Sequence, residues 1–97
     1  MKRDDAIACL KQHEPELKQL GVERLFLFGS VARDEAREDS DVDLFFNYKK
    51  GDLDLFGLMD IKERASAILG RRADIMTRDS IHRMLRPRIE QAAVPVF

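Results

Sequence analysis

Along the chain, Ile7, Leu10, Leu17 and Leu20 recur at helical spacing, so residues 4–19 predict an amphipathic helix that Asp4 or Asp5 can cap. Pro15 falls inside it and predicts a break or kink near Glu14, and Gly21 is a natural stop. Residues 23–28, Glu-Arg-Leu-Phe-Leu-Phe, read as a strand buried on both faces. Gly29-Ser30 ends that strand and Val31–Arg37 predicts a short helix. Residues 41–48 read as a second strand, whose alternation turns Val42, Leu44 and Phe46 to the core. Lys49 to Asp52 predicts a turn. Residues 54–69 carry Leu55, Leu58, Met59, Ala65, Ile68 and Leu69 at three- and four-residue steps, a helix that Gly70 closes. Arg72–Thr77 predicts a third strand with Ile75 and Met76 as its apolar part. Asp79 or Ser80 would cap a last helix through which Pro87 cuts, and residues 93–97 predict a terminal strand that Pro95 confines to a sheet edge. The order α-β-α-β-α-β-α-β predicts an α/β (α+β) fold: one small mixed sheet with helices mainly on one face.

Composition narrows the class. At 97 residues the chain is expected to form a single domain over 1–97 with one modest core. Its 44% hydrophobic and 36% charged residues exclude a disordered tail. No apolar run approaches the ~20 residues that cross a bilayer. Asp4 and Asp5 follow Met1-Lys2-Arg3 where a signal peptide needs apolar residues, so a cytoplasmic protein is expected. The single cysteine, Cys9, fits a reducing compartment and a place in helix packing. A net charge of −1 hides a segregation: the middle of the chain is acidic and the end arginine-rich. That suits a site that binds cations and polyanions together, or simply two solvated faces of opposite sign. With this charge and no aromatic stacking platform, nucleic acid is not expected as a direct ligand.

The chemistry concentrates in carboxylates. Asp41 and Asp43 stand two apart on a predicted strand, hence on one face. Like charges side by side repel, and a hard cation such as Mg²⁺ or Mn²⁺ would neutralise them; a solvated strand edge is the alternative. Gly29-Ser30 lies where a strand gives way to a short helix, a place where backbone N–H groups and a hydroxyl can meet a phosphate, or where Ser30 merely caps a turn. Asp74 lies on the next predicted strand after a helical crossover and can face the same space, or pair at the rim with Arg71 or Arg72. Three other templates fail. Counting a calcium loop from Asp39 puts Leu44 at its glycine and Lys50 at its glutamate, no G-x-x-x-x-G-K-[ST] or G-x-G-x-x-G occurs, and no G-x-S-x-G surrounds Ser30 to pair it with His13 or His82.

Gly29-Ser30, ten residues, then Asp41-Val42-Asp43 resembles the G-S-x₁₀-D-x-D signature of the polymerase-beta-like nucleotidyltransferases. Phe28 to Arg33, Ser40 to Leu44 and Asp74 within Arg72-Ala73-Asp74-Ile75-Met76-Thr77 look like the minimal members of that family, as does the ending from Pro87 to Phe97. Asp34 departs from the pattern, where many relatives carry glycine. The resemblance implies a nucleotidyltransferase palm, a short mixed sheet backed by helices. It also implies transfer of a nucleoside monophosphate from a triphosphate to a hydroxyl, with ATP as donor and Mg²⁺ or Mn²⁺ as cofactor. By it, Asp41, Asp43 and Asp74 are the catalytic and metal-binding residues, Asp74 as metal ligand or proton acceptor. Gly29 and Ser30 hold the phosphates. Arg33 neutralises the leaving pyrophosphate or braces its loop, and Ser40 contacts nucleotide or caps the turn that orients Asp41. Minimal members are often antitoxins that adenylylate a tyrosine of a HEPN-domain ribonuclease toxin and bind it in a hetero-oligomer. A chain this short leaves no room for an acceptor domain, so the acceptor is expected on a partner; the segment from Arg71 to Arg88 with Ile81, Met84, Leu85 and Ile89 is a candidate docking face, or its apolar members simply close the core. The alternative is a binding module that blocks the toxin by contact alone.

Overall fold

The computed structural model describes residues 1–49, 51 and 53–97. The chain forms α1 (Arg3–Gln12), α2 (Glu14–Gln19), β1 (Arg24–Phe28), α3 (Gly29–Ala32), β2 (Val42–Asn47), α4 (Leu55–Leu69), β3 (Ala73–Thr77), a 3₁₀ turn (Arg78–Ser80), α5 (Arg86–Ala92) and β4 (Val94–Pro95). The strands make one mixed sheet in the order β3-β2-β1-β4. β1 is antiparallel to both neighbours, and β2 and β3 run parallel across the α4 crossover.

Strand alternation sorts the sheet into two faces. Leu25, Leu27, Val42, Leu44, Phe46, Ala73 and Ile75 point to one side, where Ala6 and Leu10 of α1, Leu17 of α2 and Ile61, Ala65 and Leu69 of α4 complete the main core. Cys9 lies in this layer, its thiol donating to the Ile68 carbonyl at 3.2 Å. The other face carries Phe26, Phe28, Asp43, Phe45, Asp74 and Met76, the alternate residues. Phe45 is wholly buried there, stacked on Phe26 with ring centroids 4.9 Å apart and tilted against Phe28 at 5.7 Å. The Arg78 guanidinium lies 4.8 Å from the Phe26 ring centre and 5.2 Å from that of Phe45. β1 is therefore fully buried on one face and half-buried on the other, not buried on both.

Four boundaries differ from the sequence pattern. The first helix is two: Pro15 lacks an N–H and cannot continue α1, but it fits the first turn of α2, where that N–H would be unpaired anyway. Neither Asp4 nor Asp5 caps α1; both sit in its first turn, behind Lys2. The helix expected over 31–37 starts at Gly29 and ends at Ala32, because Asp34 adopts a left-handed backbone (φ 57°) that no helix continues through. Near the end of the chain, Pro87 starts α5 instead of cutting a longer helix, and the expected cap residues close a separate 3₁₀ turn. Asp54 caps α4 by accepting the Gly57 N–H at 2.7 Å, and Gly70 ends it in the left-handed conformation. The turn expected over 49–52 includes Lys50 and Asp52, which lie outside the described residues. Among the described residues no helix is long and apolar enough to cross a membrane.

Candidate active site

The antiparallel register sets Phe28, the last residue of β1, opposite Asp43. The next residue, Gly29, has φ +77°, and the space beside its Cα is taken by the Asp43 carboxylate. A Cβ built on Gly29 would lie in contact with Oδ2, 3.0 Å from Cγ and 3.1 Å from Cβ of Asp43. Glycine is needed here twice, for the backbone conformation and for the close approach. In consequence the Gly29-Ser30 turn and Asp43 form one tight unit.

The parallel register sets Asp74 of β3 beside Asp43 of β2. Asp41 precedes Asp43 by two residues, so the alternation that buries Val42 turns both aspartates to the opposite face. The fold thus brings together Asp41, Asp43, Asp74 and the Gly29-Ser30 turn, all at one end of the sheet face that also carries Phe28 and Phe45. Asp74 is exposed and Asp43 half-buried. Burial raises the Asp43 carboxyl above its ordinary value, the negative charges of Asp74 and then Asp41 raise it further, and Arg33 opposes the rise.

Arg33 follows α3 and donates from Nε to Glu35 at 3.0 Å, so its guanidinium is braced within its own loop while its charge reaches Asp43. The Ser40 hydroxyl accepts the Arg37 N–H at 2.9 Å and closes the turn that leads into Asp41. Two contacts were not foreseen from the sequence. Arg72 lies with Nε 3.8 Å from Asp41 Oδ2, so the rim partner expected for Asp74 belongs to Asp41. Asp34 Oδ1 accepts the Arg3 N–H at 2.7 Å, and Oδ2 lies 3.9 Å from the Arg3 guanidinium. The first had a signal, since Arg72 shares the parity of Asp74; the second is a contact across 31 residues that no local pattern marks.

Among the described residues no three His, Cys, Asp or Glu side chains come close enough to hold a metal ion by themselves. The donors are nonetheless of the right chemistry. Mg²⁺ is commonly held by one or two carboxylates, with phosphate and water oxygens completing an octahedron. Carboxylates that repel one another, as the environment of Asp43 records, favour such a cation. Asp41 and Asp43, with Asp74 beside them, therefore fit a divalent ion that arrives with a polyphosphate.

A short mixed sheet, a glycine-serine turn packed against the second of two paired aspartates, and a third aspartate on the next parallel strand define the class of nucleotidyltransferase palm domains. A profile for the nucleotidyltransferase domain matches residues 10–96, and the chain belongs to that family. It is 36% identical over 75 residues to protein adenylyltransferase MntA of Thermococcus cleftensis, covering 76% of this chain and 75% of that protein. A solved minimal nucleotidyltransferase superimposes with a TM-score of 0.85 at 33% identity, over 98% of this chain and 96% of that one. The fold is also that of a chain in the solved complex of a tri-AMPylated Shewanella oneidensis HEPN toxin with an MNT antitoxin. There the TM-score is 0.65 at 14% identity, over 90% of this chain and 68% of the other.

Proposed function

We propose that this chain transfers AMP from ATP to a hydroxyl of a partner protein, a tyrosine of a HEPN toxin, and thereby acts as a cytoplasmic antitoxin in a hetero-oligomer. The observation that carries this reading is the placing of Asp43 and Asp74 side by side on adjacent strands, with Asp41 leading into the first and Gly29 packed on Asp43. The name of the Thermococcus relative supports protein adenylylation, and the AMPylated HEPN complex, at its low identity, supports the fold on which such a reaction is run.

In this reading the Gly29 backbone and the Ser30 hydroxyl bind the β- and γ-phosphates, and the Arg33 charge faces the pyrophosphate. Ser40 acts through the turn that fixes Asp41. Mg²⁺ or Mn²⁺, held by Asp41 and Asp43 with Asp74 beside them, supplies charge neutralisation for the triphosphate and the acceptor oxygen. The acceptor oxygen forms a bond to the α-phosphorus, the bond from that phosphorus to pyrophosphate breaks, and Asp74 accepts the hydroxyl proton. Asp74 is exposed, as a group that must meet an acceptor on another molecule has to be.

The test mixes the purified chain with a HEPN protein from its own genome, ATP and Mg²⁺, and follows the partner by intact-mass spectrometry. The partner is expected to gain one or more adenylyl groups, and Asp74→Asn to slow the gain by roughly 10²–10⁴. A partner silenced at unchanged mass would make this chain a contact inhibitor. Labelling of a small molecule or an RNA end would keep the transfer and replace the acceptor.

A further inference from the structure

The catalytic face holds a cation that the reading above leaves without a task. Gly70 turns the chain out of α4, and the carbonyl of Arg72 accepts the Val42 N–H at 3.0 Å, the rung that opens the parallel ladder of β2 and β3. This fixes the Arg72 backbone beside Asp41, one step before the pair Val42 and Ala73, both wholly buried. By alternation Arg72 and Asp41 then share the face of Asp43 and Asp74. Three carboxylates and one guanidinium occupy four neighbouring places where two strands begin, Asp43 and Asp74 within them and Asp41 and Arg72 just before them. Arg71, of the opposite parity, points elsewhere and donates to the Glu38 carbonyl at 3.4 Å. Among the described residues the only carboxylate paired with Arg72 is Asp41, at 3.8 Å, and the Arg72 side chain is 72% exposed.

We propose that Arg72 is a nucleotide-binding residue that changes partners: it neutralises Asp41 while the site is empty, and passes to a phosphate oxygen when nucleotide and divalent cation enter together. The inference rests on the nucleotidyltransferase reading and adds a residue to it. A long, exposed ion pair is weak, so a divalent ion backed by phosphate oxygens displaces it with little loss. The freed guanidinium stays on a backbone that the Val42 N–H ties to the start of the sheet, at the rim of the face that holds the paired aspartates. Its planar fork of donors matches phosphate oxygens better than a lysine would. Two effects of opposite sign follow. Arg72 competes with a metal ion that comes alone, and assists one that comes with nucleotide.

The experiment measures Mn²⁺ binding to the full chain by calorimetry, alone and with a non-hydrolysable ATP analogue, in wild type, Arg72→Ala and Arg72→Lys. Arg64→Ala, which removes an equal charge from the ion pair with Glu16, is the control for net charge. Arg72→Ala is expected to tighten binding of Mn²⁺ alone by ~2–5-fold and to weaken binding of the analogue with Mn²⁺ by ~3–10-fold. Arg72→Lys should keep most of the first property and lose part of the second. Should Arg72→Ala not fold, Arg72→Gln takes its place. Shifts of the same sign, as a merely bracing residue would give, or shifts no larger than those of Arg64→Ala overturn the proposal and leave the nucleotidyltransferase reading intact. A wild type that binds no analogue with Mn²⁺ overturns both.

Discussion

Asp43 and Gly29 are bound to each other's identity. Gly29→Ala would put a methyl group where the Asp43 carboxylate lies and would ask alanine to hold φ +77°. We expect a loss of about 1–3 kcal/mol in urea denaturation, from backbone strain and the displaced carboxylate together. Asp43 itself weighs against the fold when it is ionised. Its carboxyl is held above the ordinary value, so the folded chain binds that proton more tightly than the unfolded chain does. The resulting stabilisation is complete below the unfolded value and is lost as pH rises through the folded one. Asp43→Asn should therefore raise the melting temperature of the metal-free protein at pH 7. The advantage should vanish as pH falls toward ~4. An Asn variant that melts with the wild type at pH 7 would mean that neither the burial of this carboxylate nor its repulsion by Asp74 and Asp41 has energetic weight.

At the scale of elements, the local pattern found the strands and α4 but misjudged how helices begin. Period-two alternation placed Asp41, Asp43 and Asp74 on one face because strand geometry leaves only two faces to choose from. Helix starts were less legible, because the group that caps a helix need not be near in sequence. The N–H of Arg3 at the start of α1 is met by Asp34, from the loop after α3, and Lys2 offers no side-chain cap. The left-handed backbone of Asp34 is the same fact seen from the loop. A substitution series separates the two roles. Asp34→Asn keeps an acceptor and tolerates the backbone, so it should lose least. Asp34→Gly loses only the cap and ion pair, about 0.5–2 kcal/mol. Asp34→Ala adds left-handed strain of about 1–2 kcal/mol and should be the least stable of the three by urea denaturation. Equal stability of the glycine and alanine variants would remove the strain argument.

In the molecule as a whole, the sheet is covered unequally. One face rests on the main core, while the face of the aspartates carries a smaller layer, Phe45 with Phe26, Phe28 and the Arg78 guanidinium. The sequence marked Phe46 as a core residue and passed over Phe45, since alternation assigns it to the side of Asp43, where polar neighbours hide an apolar layer. Phe45→Ala should cost about 3–5 kcal/mol, as for a residue of the main core, read as a lower urea midpoint at unchanged slope. A loss below about 1 kcal/mol would show that the aromatic layer is incidental. At one end of that face the three aspartates gather with the turn at Gly29, and the burial and like charges that Asp43 bears have a consequence for how this chain can change over generations. Selection for heat resistance alone would favour neutral side chains there, and selection for the proposed transfer would restore the acids. A variant library screened first for survival on heating should lose Asp43 early, and its most robust survivors should be the poorest enzymes.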